Sequence, residues 1–261
     1  MNAPAAAQRF PYYFEIIKNL TIRDIKVKYK RSSLGFLWTL LNPLCTAAVY
    51  IFVFSQILRA GIDNYWAFLL SGFFAWNFFS LTLFSGSDVI STNRSIVTRV
   101  FFPHEILVLS NALCKLIEYS FELVIVIPLL CIFHLHRLPA SLLALPLLLL
   151  LQIMVSTAFV FPLACLRVFY KDVEQVLPIV MTAWFFLTPI VYTLDQVPKN
   201  YLGLLALNPM VGIITAYHDM LYLGRFPDPT ALAHTSLISV VLLALGYWGF
   251  YRFKGIFAEI I

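Results

Sequence analysis

The sequence predicts an all-α membrane protein with six transmembrane helices, an N-terminal interfacial helix, a short cytoplasmic helix in the second connection and short re-entrant helices before the last span. Three observations predict it. Apolar residues make up 61% of the 261-residue chain and charged residues only 12%, with a mean hydropathy of +0.86; soluble domains run at about 45–50% and about 25%. The apolar excess falls in stretches long enough to cross a hydrocarbon core, which takes about 20 residues of helix. The charges collect between those stretches, and unevenly.

Six stretches meet the length requirement, at about 36–58, 65–84, 113–133, 140–166, 173–194 and 232–250. Between the last two lies a half-apolar segment broken by Asn208-Pro209 and Gly212. It is too short for a hairpin of full spans and too apolar for a solvated loop. Two half-helices dipping back into the outer leaflet, over about 195–230, fit it. Broken backbone at membrane depth survives only where protein or a water-filled cavity covers it, and it often borders a permeation pathway. No internal repeat is visible, so a two-fold pathway would come from a dimer.

Charge assigns the sides. With both termini cytoplasmic, 14 of the 18 Lys and Arg residues lie on that side, and Arg59, Arg137, Lys199 and Arg225 lie on the other. The positive-inside rule therefore places both termini in the cytoplasm. The net charge of +5 is thus a topological signal and gives no indication of nucleic acid. No cleavable signal is visible ahead of the first span, which is expected to stay as an anchor. Cys45, Cys114, Cys131 and Cys165 fall in or at the ends of spans without CxxC spacing. They read as small core residues, with no zinc site or disulfide framework indicated.

The arm over residues 1–35 precedes the transmembrane domain of 36–261. Phe10, Tyr13, Ile17 and Leu20 recur at helical spacing, and Arg23, Lys26, Lys28, Lys30 and Arg31 follow. An apolar stripe beside clustered bases suits a helix lying in the interface and meeting membrane lipids; the plainer alternative is a polybasic topology signal. Asp24 is spaced to pair with Lys28 at i,i+4. The second connection, about 85–112, is the longest on the cytoplasmic side. Ser91 or Asn93 is placed to cap a short helix carrying Arg94 and Arg99. Val100-Phe101-Phe102 follow, closed by Pro103-His104-Glu105. This reads as a docking element for a partner, or as an elbow packed on the bilayer.

Catalytic motifs are missing. The chain has no GxxxxGK[ST], HExxH or GxSxG, and its five histidines are scattered, so no phosphate loop, metal site or hydrolytic site is indicated. Lys115, Glu118 and Glu122 share one helical face at the start of the third span, with Glu122 roughly 10 Å deeper than Lys115. They form either a proton or cation site, or an interfacial ion pair with one buried carboxylate beyond it. Among 42 aromatic residues, Trp38, Tyr50, Trp184, Phe185 and Tyr192 sit where a pore would be lined. Flat rings give sugars a contact without tight directional bonds; the alternative for each ring is packing or an interfacial belt.

Several motifs are shared in order along the chain with one family. Arg23-Asp24-Ile25-Lys26-Val27-Lys28-Tyr29-Lys30-Arg31-Ser32-Ser33-Leu34-Gly35 runs on through Trp38 to Asn42-Pro43-Leu44. Tyr170-Lys171-Asp172-Val173, Leu177-Pro178, Thr188-Pro189-Ile190-Val191-Tyr192, Leu207-Asn208-Pro209-Met210 and Phe257-Ala258-Glu259 follow. With these, the chain resembles the permease subunit of polysaccharide-exporting ABC transporters, the group that moves O-antigen, teichoic acid and capsular chains. Lys171, Thr188 and His218 depart from the commoner residues of that pattern.

The resemblance implies six spans, an interface helix, a coupling helix in the second connection and re-entrant helices before the sixth span. It also implies a homodimer with two copies of a separate ATP-binding subunit, so that ATP is bound in trans and this chain holds no cofactor. The expected function is ATP-driven export of a lipid-linked polysaccharide across the inner membrane. Arg23, Asp24, Lys26, Lys28, Lys30 and Arg31 would meet lipid phosphates or the ATPase. Arg94, Arg99, Phe101, Phe102, Pro103, His104 and Glu105 would form the coupling contact. Export of a smaller lipid or drug, and ion-coupled transport through Glu118 and Glu122, are the alternatives.

Overall fold

The computed structural model of the chain describes residues 6–30, 35–99, 103–136 and 139–257, and every regular element among them is helical. Helix α1 (Ala6–Tyr29) is the amphipathic arm, and α2 (Trp38–Ile51) starts the first span. Next come α3 (Tyr65–Ser87), two short helices α4 (Val89–Thr92) and α5 (Arg94–Arg99), and the long α6 (Glu105–Leu130). The chain continues with α7 (Leu145–Phe169), α8 (Val173–Phe186), α9 (Lys199–Ala206), α10 (Pro209–Tyr217) and α11 (Pro229–Phe253). With their π or 3-10 extensions, five helices are long and apolar enough to cross a membrane: Trp38–Ile57, Tyr65–Ser87, Glu105–Leu135, Ala140–Phe169 and Pro229–Ile256.

Four of these match the sequence-predicted spans to within a few residues. The third helix begins earlier, at Glu105, because the apolar run Ile106-Leu107-Val108 packs into the core and extends the helix beyond the bilayer length.

The fifth predicted span, 173–194, is only partly helical. Helix α8 has 14 residues, about 21 Å at about 1.5 Å per residue, against a hydrocarbon core of about 30 Å. It stops because Pro189 disfavours helical backbone at Thr188. The remaining backbone is irregular, and it is covered. Ile190 and Val191 are buried, and the Tyr65 hydroxyl donates to the Val191 carbonyl at 3.0 Å. The Thr188 hydroxyl donates to the Trp184 carbonyl at 2.9 Å, answering one of the orphaned groups at the helix end.

Helices α9 and α10 are bent by 101° at Leu207-Asn208. Asn208 makes the corner. Its side-chain oxygen accepts from the Met210 N–H at 3.0 Å, capping α10, while its amide donates to Thr188 Oγ1 at 3.0 Å. One side chain thereby holds the bend against the end of α8.

The hub is α3, apolar all round as a fully buried helix should be. It packs against α2, α6, α7 and α10, and 78% of its apolar window is buried, against 11% for the first span and 17% for the last. Close approach depends on glycine where a Cβ would collide. At Gly246 it would fall 2.2 Å from the Ala158 carbonyl of α7, and at Gly72 it would fall 2.6 Å from His218 Nε2. Buried Gln152 is satisfied at both ends, donating to the Ala75 carbonyl at 2.6 Å and accepting from the Tyr217 hydroxyl at 2.8 Å. Cys114, Cys131 and Cys165 are buried as expected, whereas Cys45 on peripheral α2 is exposed.

The bundle has two chemically different ends. At the basic end Arg167 bridges Asp88 and Glu174, fixing the turn between α7 and α8, and Lys254 pairs with Glu105 at 2.5 Å. At the opposite end three helices finish in π turns, at Phe52–Ile57, Cys131–Leu135 and His218–Tyr222. There the His134 ring stacks on Tyr222 at 5.0 Å, and the Tyr222 hydroxyl donates to the Asp63 carbonyl at 2.7 Å. Gln196 also donates to the Ala60 carbonyl at 3.1 Å. Arg59, Lys199 and Arg225 belong to this end, as the charge count predicts, while Arg137 lies outside the described residues.

Candidate functional site

The polar face of the molecule is built by α1 lying across α6. Tyr13, Ile17 and Leu20 are half-buried, the side chain of Phe10 lies outside the described residues, Thr21 is buried, and the Thr21 hydroxyl donates to the Ile17 carbonyl at 2.8 Å. Tyr12, Phe14 and Val27 stay exposed on the other face. One turn further along, Glu118 of α6 gathers three donors. They are Lys28 Nζ at 2.7 Å, the Tyr29 hydroxyl at 2.8 Å and Lys115 Nζ at 3.0 Å.

That clasp corrects one sequence expectation. Asp24 pairs not with Lys28 but with its neighbour Arg23, at 2.7 Å. Lys28 is drawn away because Glu118, nearly shut off from solvent, offers a stronger partner than an exposed i,i+4 carboxylate. Burial, then the nearby Lys115, lowers the pKa of the Lys28 ammonium from its usual range. Glu122, one turn deeper, is buried, and one of its carboxylate oxygens meets no hydrogen-bond partner.

Arg23 also donates to Asn93 Oδ1 at 2.8 Å, tying the arm to the corner between α4 and α5. Asn93 stands at the start of α5, as expected of a cap, yet its side-chain oxygen serves Arg23 and its amide donates to the Val89 carbonyl at 2.9 Å. Helix α5 turns Val97 inward and leaves Arg94, Ser95 and Thr98 exposed. His104 packs edge-on against Phe257 at 5.9 Å, next to the Glu105–Lys254 pair, so the chain's far end backs this loop. Lys26 and Lys30 flank Arg23 along an open groove of about 670 Å³ on α1. Arg31, Phe101 and Phe102, and the side chain of Arg99, lie outside the described residues.

The aromatic candidates divide into two cavities. Tyr50 of α2 stacks on Phe185 of α8 at 5.3 Å, and both line a cavity of about 250 Å³ against α3, with Phe73, Trp76, Asn77 and Ser80. Trp184 and Tyr192 line a larger groove of about 740 Å³ beneath the α9–α10 bend, walled by Val180, Leu187, Leu204 and Leu242. Edge-to-face contacts of Trp184 with Trp76 at 6.5 Å and Phe79 at 5.1 Å join the two. Trp38 stands apart from both, exposed at the start of α2.

The sequence profile of a known family, described as ABC-2 type transporter, matches residues 15–222. The chain belongs to the ABC-2 type transporter family. Its similarity to curated relatives runs nearly end to end. It is 32% identical over 236 residues to the O-antigen export system permease protein RfbA of Myxococcus xanthus, covering 88% of this chain and 89% of that one. To the Klebsiella pneumoniae protein of the same name it is 26% identical over 250 residues, 96% of each chain. To the polysialic acid transport protein KpsM of Escherichia coli it is 21% identical over 233 residues, covering 88% and 90%.

In this ABC-2 type transporter, sequence reasoning passed over Lys254 and Asn77 and read Asn93 only as a helix cap. Asn93 and Lys254 are partners of predicted residues, and long-range pairing leaves no mark in spacing. Asn77 was legible in principle. Phe73, Asn77, Ser80 and Phe84 recur at steps of four, three and four, which places two polar residues on one stripe of an otherwise apolar helix.

Proposed function

We propose that this chain is the transmembrane subunit of an ATP-driven exporter moving a lipid-linked, O-antigen-like polysaccharide across the inner membrane. It works as a homodimer with two copies of a separate ATP-binding subunit. The observation that carries the reading is the near-complete alignment with a permease named for O-antigen export, at 32% identity. The missing phosphate loop fits energy supplied in trans, and the concentration of Lys and Arg at one end supports a cytoplasmic side for both termini. The exposed α5 face with Arg94 takes the ATPase. The arm groove with Arg23, Lys26 and Lys30 takes phosphate of the lipid carrier or its bilayer neighbours. The bent pair α9–α10 re-enters the membrane, and the aromatic cavities border the pathway.

Ion-coupled transport would have to run through Glu122, since Glu118 is committed to three donors. The test is deletion of the gene in its own host, followed by complementation. Surface polysaccharide should vanish, and return only when this chain and its ATP-binding partner are both present. A normal surface glycan with altered drug or lipid efflux would replace the substrate class. Transport by the purified chain in vesicles without any ATPase would overturn the mechanism.

A further inference from the structure

Among the described residues, Arg23 is the one cation lining the arm groove whose head group is held by the fold. Its Nε donates to Asp24 Oδ1 at 2.8 Å, and its Nη2 donates to Asn93 Oδ1 at 2.8 Å. A guanidinium carries donors on all three nitrogens, and no described residue accepts from Nη1. The side chain lines the groove and is 39% exposed, so donors remain within reach of a ligand there. Lys26 and Lys30 line the same groove, no carboxylate does, and among the described residues neither ammonium is ion-paired. Ile22 and Val27 add carbon beside the three cations. Cations edged with carbon suit a phosphate carried on a hydrocarbon.

Asn93 works in two directions. Its oxygen accepts from Arg23, while its amide donates to the Val89 carbonyl at 2.9 Å and closes α4. The next residue, Arg94, begins α5. The corner is tied further into the bundle through Asp88, which accepts from the Thr92 hydroxyl at 2.8 Å and from Arg167 Nε at 3.4 Å. An arginine pinned along one edge has few rotamers left to lose, so less ordering entropy opposes its bond to an anion. Without Asn93, the outer half of that edge would be free to swing.

We propose that Asn93 is the positioning residue of a lipid-phosphate site in the arm groove. It presents the Arg23 guanidinium to the phosphate and so ties occupancy of the groove to the placement of α5. The inference rests on the reading of the groove as a phosphate site and of α5 as the ATPase contact. A phosphate drawing on Arg23 draws on the α4–α5 corner through a single hydrogen bond, and by linkage the ATPase responds to what the arm holds.

The test uses the complex with its ATP-binding subunit, reconstituted in phosphatidylcholine vesicles. These carry rising fractions of phosphatidylglycerol, as a bilayer phosphate, or of a long-chain prenyl diphosphate, as a carrier phosphate. ATP hydrolysis by the parental complex should rise with lipid phosphate, and the series that raises it identifies the source. Asn93→Ala should raise the half-maximal lipid fraction about three- to tenfold with the maximal rate retained, the effect of losing a hydrogen bond to a charged group. Arg23→Gln should raise that fraction about tenfold or more, and Asn93→Ala added to Arg23→Gln should raise it no further. An equal Asn93→Ala shift with and without Arg23 would overturn the positioning role. A lowered maximal rate at an unchanged half-maximal fraction would also overturn it, leaving Asn93 to act on the ATPase contact alone. Parental hydrolysis indifferent to both lipids would instead overturn the phosphate reading of the groove.

Discussion

Lys28 Nζ lies 2.7 Å from Glu118 Oε1, joining the N-terminal arm to the third span across 90 positions of sequence. Lys115 and Tyr29 complete the shell, so the arm is held by a charge nearly removed from water and not by lipid contact alone. The pairing turns an interfacial helix into a fixed part of the bundle.

Removing the centre of that clasp should therefore cost more than removing its rim. Glu118→Ala leaves two ammonium groups facing each other, and it is expected to cost about 3–5 kcal/mol, the range for a buried ion pair deprived of one member. Lys28 is 43% exposed, so Lys28→Met should cost about 1 kcal/mol or less. Thermal unfolding of the purified protein ranks the two, and equal losses would refute the centre-and-rim account.

Helix packing offers an internally controlled comparison on α11. A Cβ at Gly246 meets a backbone carbonyl at 2.2 Å, which cannot swing aside, whereas a Cβ at Gly249 meets nothing within 4 Å. Gly246→Ala should push α11 from α7 and cost about 1–3 kcal/mol. Gly249→Ala should be neutral, or should stabilise by up to about 1 kcal/mol through helix propensity. The same unfolding assay, run on both variants, would show opposite or at least well-separated shifts.

Burial lowers the pKa of the His104 imidazole from its usual range, with Glu105 opposing and Lys254 adding to the shift. The unfolded chain takes up that proton near pH 6.5 and the folded chain only at lower pH. The contribution to stability is therefore whole above about pH 6.5 and is lost as pH falls through the folded value. The unfolding midpoint should drop between pH 7 and pH 5, and His104→Gln should flatten part of that slope. A variant slope as steep as the parent's would assign the acid sensitivity to other groups.

On the proposed function, Arg94 on the open face of α5 meets the ATP-binding subunit directly. Reversing its charge with Arg94→Glu should lower co-purification of that subunit about tenfold or more, without shifting the unfolding midpoint of this chain by more than about 0.5 kcal/mol, as for an exposed surface position. Intact co-purification would move the contact elsewhere on the basic end.

Much of the fold could be read from the chain because bilayer thickness, and not packing detail, sets where spans start and stop. The helix starts at Tyr65 and Ala140 are legible for that reason. The fifth predicted span is helical only over Val173–Phe186, because hydropathy does not register a helix stop. Thr188-Pro189 breaks the backbone while the sequence stays apolar, and only the cover from Tyr65 and Asn208 makes the break tolerable. Local spacing likewise favoured Asp24 for Lys28, since a carboxylate 90 residues away has no local signature. The aromatic candidates illustrate both sides of this. Composition pointed to Tyr50, Trp184 and Phe185, but only the three-dimensional arrangement sorts them into two chambers and leaves Trp38 outside.

Uneven burial divides the molecule mechanically. Helix α3 is locked on nearly every side, and shifting it would unpack the core. The first span, with little of its surface held by the rest of the chain, resists displacement far less, because the opposing work scales with the apolar contact that has to be broken. The chamber holding Asn77 therefore has one stiff wall and two compliant ones.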